Sequence, residues 1–166
     1  MVVAVVLVAG VAGGLWWVRG VGDPAGDGGR AGAWATAGVA QVEEFARVRV
    51  PEGAGEVRQA YRRGFQDDQA WLSFRLPSGA EAGFLAGLRV TAVPVVPTDG
   101  GSLGEVAAEG FRKAGAPDPR QAGALRTGGF VAEPLPGHSK RLAATVWVAA
   151  EPDGGSRVWV YAMDAP

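Results

Sequence analysis

The sequence predicts an α+β domain, an antiparallel sheet of about five strands with two helices on one face, preceded by one N-terminal transmembrane helix. Three observations carry that expectation. The chain opens on an uninterrupted apolar run, two later segments begin with capping-box spacing, and the chain closes on two alternating runs joined by Glu-Pro-Asp-Gly-Gly-Ser.

Residues 2–18 carry no charge, and seventeen helical residues reach roughly 26 Å, close to a hydrocarbon core of about 30 Å. Trp16 and Trp17, followed by Arg19, have the character of an interfacial belt. Residues 1–19 are therefore expected to be a transmembrane anchor or signal-anchor of a single-pass cell-membrane protein, with the rest extracytoplasmic. A cleaved signal peptide competes with this reading. Its best cleavage triplet, Ala31-Gly32-Ala33, stands far from the apolar run, and no basic region precedes that run. Residues 20–40 are rich in Gly, Ala and Asp and bury too little to offset their ordering entropy, which predicts a flexible linker. Trp34 is the one large apolar residue there, free to dock on the domain or to meet the membrane surface.

The folded domain is expected over residues 41–166. Residues 45–50 alternate apolar and basic up to Pro51, which predicts a strand. Residues 57–63 alternate with Val57, Gln59 and Tyr61 on one face. Residues 71–76 follow as the next strand, with Leu72, Phe74 and Leu76 opposite Trp71, Ser73 and Arg75. Ser78 and Glu81 have capping-box spacing and predict a helix from 78 to about 88. The apolar run 90–96 is broken by Pro94, so an edge strand or extended crossing is expected. Ser102 and Glu105 open a second helix reaching about residue 114, with Leu103, Val106, Ala107, Gly110, Phe111 and Ala114 on one side. Residues 115–141 read as a long surface connection with one short strand near Phe130. Residues 142–150 and 157–162 form a hairpin that brings Trp147 and Trp159 together.

Sixteen basic and seventeen acidic residues, with no long run of either sign, provide no field for gathering nucleic acid. The chain contains no cysteine and one histidine, which removes disulfides, thiolate chemistry and histidine-rich metal sites within one chain. Arginine outnumbers lysine fourteen to two, and isoleucine and asparagine are absent, a bias typical of a GC-rich genome such as an actinobacterial one.

The candidate ligand-binding residues are Arg62, Arg63, Asp67 and Asp68, in the stretch AYRRGFQDDQAWLSFRLP. Paired carboxylates can share a substrate or a cation, and paired arginines can grip a carboxylate or phosphate. Adjacent strand residues point to opposite faces, so the aspartates converge only in a turn. A polar turn between two strands is the simpler reading, with the arginines neutralising it. His138 and Ser139 lie in a loop without an activating setting. Residues 98–104 lack the endings of a phosphate loop, so helix capping explains them. The tryptophans Trp71, Trp147 and Trp159 sit in strands and read as packing before they read as a sugar platform. No catalytic residue, cofactor or metal site is expected.

The proline-bounded strand, Glu56-Val57-Arg58, Gly64-Phe65-Gln66-Asp67-Asp68, the run 71–77 and Phe84-Leu85 resemble small actinobacterial membrane-anchored or lipoprotein-like envelope proteins of uncharacterised function. The resemblance covers residues 46–88 and implies location and fold, but no chemistry. Lacking the lipid-bearing cysteine of lipoprotein members, this chain would rely on its helix as anchor. The expected function is a binding or assembly module at the cell envelope, with the membrane and an envelope protein or cell-wall ligand as partners and no nucleic acid. Two alternatives stand beside it. One is an envelope hydrolase or transferase using Asp67, Asp68 or Glu133. The other is a small membrane partner subunit contacting its neighbour through Gly10, Gly13 and Gly14.

Overall fold

Several long runs of the sequence carry apolar residues at both odd and even positions, and such strands need cover on both faces. A computed structural model provides that cover; it describes residues 32–64, 67–88, 96–98, 103–134 and 139–165. In chain order the elements are β1 (Ala33–Ala35), α1 (Val39–Ala46), β2 (Gly55–Arg63), β3 (Gln69–Leu76), α2 (Glu81–Gly87), β4 (Val96–Thr98), α3 (Glu105–Lys113), a 3-10 turn (Pro119–Gln121), β5 (Leu125–Ala132), β6 (Arg141–Ala150) and β7 (Ser156–Ala165). The strands form one antiparallel sheet in the order β1-β2-β3-β7-β6-β5-β4, with three-residue strands at both edges.

The α+β class and the antiparallel sheet are as the sequence predicts. Among the described residues the strand count is seven rather than about five, and helices cover both faces. On one face, Leu72, Phe74 and Leu76 of β3, Val158, Val160 and Ala162 of β7, and the even residues of β6 pack under α1 and α2 through Val42, Ala46, Phe84 and Leu88. On the other, Trp71, Trp147, Trp159 and Leu125 pack under α3 through Ala107, Ala108 and Phe111. The two helices foreseen from sequence thus lie on opposite faces of the sheet. The partner of α2 is a helix that the sequence reading missed.

That helix is α1. Residues 45–50 were expected to form a strand, but Val39, Val42 and Ala46 recur at helical spacing, and Val42 and Ala46 are buried. The helix continues through Ala46 and stops at Arg47, whose left-handed backbone (φ 57°, ψ 28°) lets its N–H reach Glu43 O. Residues 48–50 follow without regular structure, and there Val50 N–H donates to Glu43 Oε1 at 2.6 Å. The alternation of 45–50 therefore spans a helix end and the chain leaving it. β1 and the start of α1 lie within residues 20–40, where a flexible linker was expected.

Ser78 does not cap α2, which starts one residue after Ala80 without a side-chain cap; Ser78 lies in the preceding turn, where Ala80 N–H bonds Pro77 O. Ser102 lies outside the described residues, and α3 is entered through Gly104 without a side-chain cap. Residues 115–141 contain more than a surface connection, since β5 runs for eight residues beside β6. Its Gly128-Gly129 step hides the strand from pattern reading. The expected crossing at 90–96 lies outside the described residues except for Val96, where β4 begins. The expected anchor at 1–19 also lies outside them. No helix among the described residues is long and apolar enough to cross a membrane. The closing hairpin places Trp147 directly opposite Trp159, as expected.

Glycine at 110 determines how closely α3 approaches the sheet. A Cβ there would stand 1.9 Å from the Trp71 indole, so a methyl forces helix and strand apart. Overpacking of this kind costs about 1–3 kcal/mol. Gly110→Ala should lower the urea midpoint accordingly, and by clearly less in a Trp71→Leu background. Equal losses in the two backgrounds would deny the contact.

Candidate functional site

The hairpin of β2 and β3 brings the four candidate residues to one end of the sheet and then sends their side chains apart. Asp68 closes the turn. Its Oδ2 accepts a short hydrogen bond from the Tyr61 hydroxyl, and its Oδ1 accepts Gly64 N–H at 3.1 Å. Its backbone N–H donates to Asp164 Oδ2 at 3.3 Å, and its carbonyl accepts Asp164 N–H at 3.1 Å. Gly64 is required in this turn, because a Cβ would fall 2.0 Å from Asp67 O. Asp67 points elsewhere and accepts from Lys140 Nζ at 2.9 Å. Arg62 donates to Gln69 Oε1 at 2.6 Å, and its guanidinium lies 5.7 Å from the Trp34 ring centre and 5.8 Å from that of Trp71. Arg63 is exposed, and its carbonyl accepts Gly32 N–H. Asp67 and Asp68 are adjacent in sequence, but each serves a different partner.

Glu133, the third carboxylate considered from sequence, meets Asp164 and Lys140 around a recess of about 20 Å³, beside Arg47. That is room for roughly one water. Glu133 itself is exposed and pairs with Arg141 at 3.6 Å. Among the described residues no group of three or more His, Asp or Glu side chains is placed to hold a metal ion. His138 lies outside the described residues.

At the opposite end of the sheet stands a charged group that sequence reasoning missed. The Arg157 side chain, only 7% exposed, donates through Nη2 to Glu56 Oε2 at 2.7 Å and through Nε to Glu151 Oε1 at 3.0 Å. Arg75 binds Glu151 and Asp153 beside it. Burial alone would lower the Arg157 pKa; the bonds to the two glutamates outweigh it and raise the value. Glu56 reaches this arginine from a β-bulge with φ 51°, an uncommon conformation for a residue with a Cβ. The one sequence signal was an arginine heading an apolar strand, and Glu56 lies 101 residues away.

The α3 face carries a further feature. α3 packs over β2 and β3, and Phe111 extends the cover to Trp147. Beyond that line the face opens. Thr145 and Ala143 of β6, Tyr161 and Met163 of β7, and Gly129 of β5 are half-buried, and Val131 is 59% exposed. On the reverse face the same stretch is closed, with Leu142, Ala144 and Ala162 buried. Tyr161, with its ring centre 5.4 Å from that of Trp71, joins the open area to the Trp71 site, which Trp34 meets at 5.1 Å with its ring tilted. Asp67 and Asp68 lie in the polar turn that the sequence favoured, and the other chemistry on display is an aromatic-edged, weakly polar sheet surface.

No known protein family, curated protein or solved structure matches this chain.

Tyr61 is the most perturbed group in the turn. Burial, then its bond to the Asp68 carboxylate, raises its pKa well above the ordinary 10.0. A raised acid stays protonated in the folded state while the unfolded tyrosine ionises, so this contribution is complete below pH 10 and declines above it. Tyr61→Phe should cost about 1.5–3 kcal/mol at neutral pH, the range for a hydrogen bond to a charged group. It should also flatten the alkaline fall in stability followed by urea titration between pH 8 and 11. An unchanged alkaline slope would place that fall elsewhere.

Proposed function

We propose that this chain is a binding or assembly module at the cell envelope, a single-pass membrane protein whose domain stands outside the cytoplasm. The observation that carries the binding role is the half-covered α3 face, where Tyr161, Met163, Thr145 and Val131 lie in register beside one another. A solvated antiparallel face usually alternates to polar residues. This one keeps apolar and aromatic side chains where no described helix covers them, the character of a protein-contact surface. The location follows from the uncharged run of residues 2–18 with its Trp16-Trp17-Arg19 boundary, and the resemblance of residues 46–88 to membrane-anchored envelope proteins agrees with it. A carboxylate-based hydrolase draws less support, because Asp67, Asp68 and Glu133 are engaged by Lys140, by Tyr61 and by Arg141, respectively.

Photo-crosslinking from native membranes tests both parts. A benzophenone amino acid at Val131 or Thr145 should yield one discrete adduct that the same probe at Glu44, exposed on α1, does not, and Thr145→Arg should remove the adduct formed from position 131 without lowering the melting temperature. Equal adducts from all three sites would sink the face as a docking surface. Deleting residues 1–19 should move the protein to the soluble fraction. Retention in the membrane would sink the anchor.

A further inference from the structure

β1 is attached to the fold by three ladder positions, by Trp34 on one face of the sheet and by the small side chain of Ala35 on the other. It has three residues and, among the described residues, one neighbouring strand, with Ala33, Trp34 and Ala35 facing Arg63, Arg62 and Tyr61 of β2. Gly32, at φ 91°, leads into it, and residues 36–38 leave it without regular structure. α1, which follows, is held separately through Val42 and Ala46 on the other face of the sheet. On the α3 face, β1 contributes a single large side chain. Trp34 lies against Trp71, with the Arg62 guanidinium across both rings and the Lys113 ammonium 6.0 Å from the Trp34 ring centre. Trp71 does not need that contact to stay in place, since Gly110 of α3 and Tyr161 also bear on it.

We propose that β1 is a releasable strap. In the closed arrangement seen here it joins the N-terminal segment to the sheet and covers Trp71. When it detaches, it bares the Trp71 ring and the outer edge of β2 at residues 61–63, while the sheet from β3 to β5 persists. Short edge strands with few buried contacts open well below global unfolding. β1 is the first strand in chain order, so a pull transmitted along the chain from its N-terminal side loads the β1 pairs before those of any later strand. Coupling of the strap to the bilayer rests on the anchor reading above; the strap itself does not.

Two indoles provide an internal comparison. Trp71 and Trp147 both bury Nε1–H on the same sheet face with no hydrogen-bond partner, so their exchange rates report access of water. Indole-proton exchange is measured by NMR on the full chain in detergent micelles. Trp34→Ala should speed Trp71 Nε1–H exchange by about tenfold or more and leave Trp147 unchanged, as for a local opening. The chain has no cysteine, so Ala33→Cys with Arg63→Cys gives one defined bond across the strap. Oxidising that pair should slow Trp71 exchange several-fold relative to its reduced form. Parallel acceleration of Trp71 and Trp147 in Trp34→Ala would mean global opening and overturn the strap. An oxidised pair that leaves the Trp71 rate unchanged would overturn it as well.

Discussion

The packing of Trp71 is the contact on which this structure most depends. Its indole is fully buried at the third residue of β3, and four independent parts of the chain adjust to it. α3 gives up a side chain at Gly110 to lie on it. Tyr161 of β7 flanks it, Trp34 of β1 covers it, and Arg62 of β2 lays a guanidinium over its ring. Aromatic rings bury large areas and favour tilted or edge contacts. The interplanar angles of 45° to Trp34 and 31° to Tyr161 fit that preference. Among the described residues the indole nitrogen has no hydrogen-bond partner, so the site relies on shape, apolar contact and the Arg62 guanidinium over the ring.

Charge is handled at the two ends of the sheet, and differently at each. At the turn end, Tyr61, Asp68, Asp164, Lys140 and Asp67 form a partly buried lattice that ties the β2–β3 turn to the end of β7 and the start of β6. At the other end a nearly buried arginine is held by two glutamates, one of them on a bulge in a left-handed conformation. Buried ion pairs contribute less to stability than their Coulomb attraction suggests, because desolvation opposes it. Their clearer effect here is on register. Glu56 reaches Arg157 from within the β2 bulge, so the pair ties the irregular pairing between Gly55 and Arg58 to β7.

Elements with a strong local period were legible in the sequence. β3, β6 and β7 are long runs rich in β-branched and aromatic residues, and α3 carries Ala107, Gly110, Phe111 and Ala114 at helical spacing with Glu105 at its start and Arg112 and Lys113 at its end. Elements whose form depends on distant contacts were not. α1 is eight residues without a capping side chain, too short to announce itself, and it is held by the sheet face beneath it. β5 carries two glycines that erase alternation, and β6 beside it supplies the ladder that keeps it extended. Of the candidate residues, the position of the aspartates in a turn followed from their neighbours. Their separate partners did not, because Lys140 and Asp164 lie far along the chain.

By itself, the sequence determined the α+β class, the antiparallel closing hairpin with paired tryptophans, the apolar character of residues 2–18, and the exclusion of cysteine and histidine-cluster chemistry. Each of these follows from residue type or from a period of two or three to four residues, which the chain carries locally. Only the tertiary structure decided that the two foreseen helices lie on opposite faces, that Trp34 belongs to the fold, that Arg157 is buried between Glu56 and Glu151, and which half of the α3 face stays open. A period says that a face must be covered. What covers it depends on chain connectivity and on the fit of side chains brought from far apart. At Trp71 that fit was settled by a glycine on a helix thirty-nine positions away.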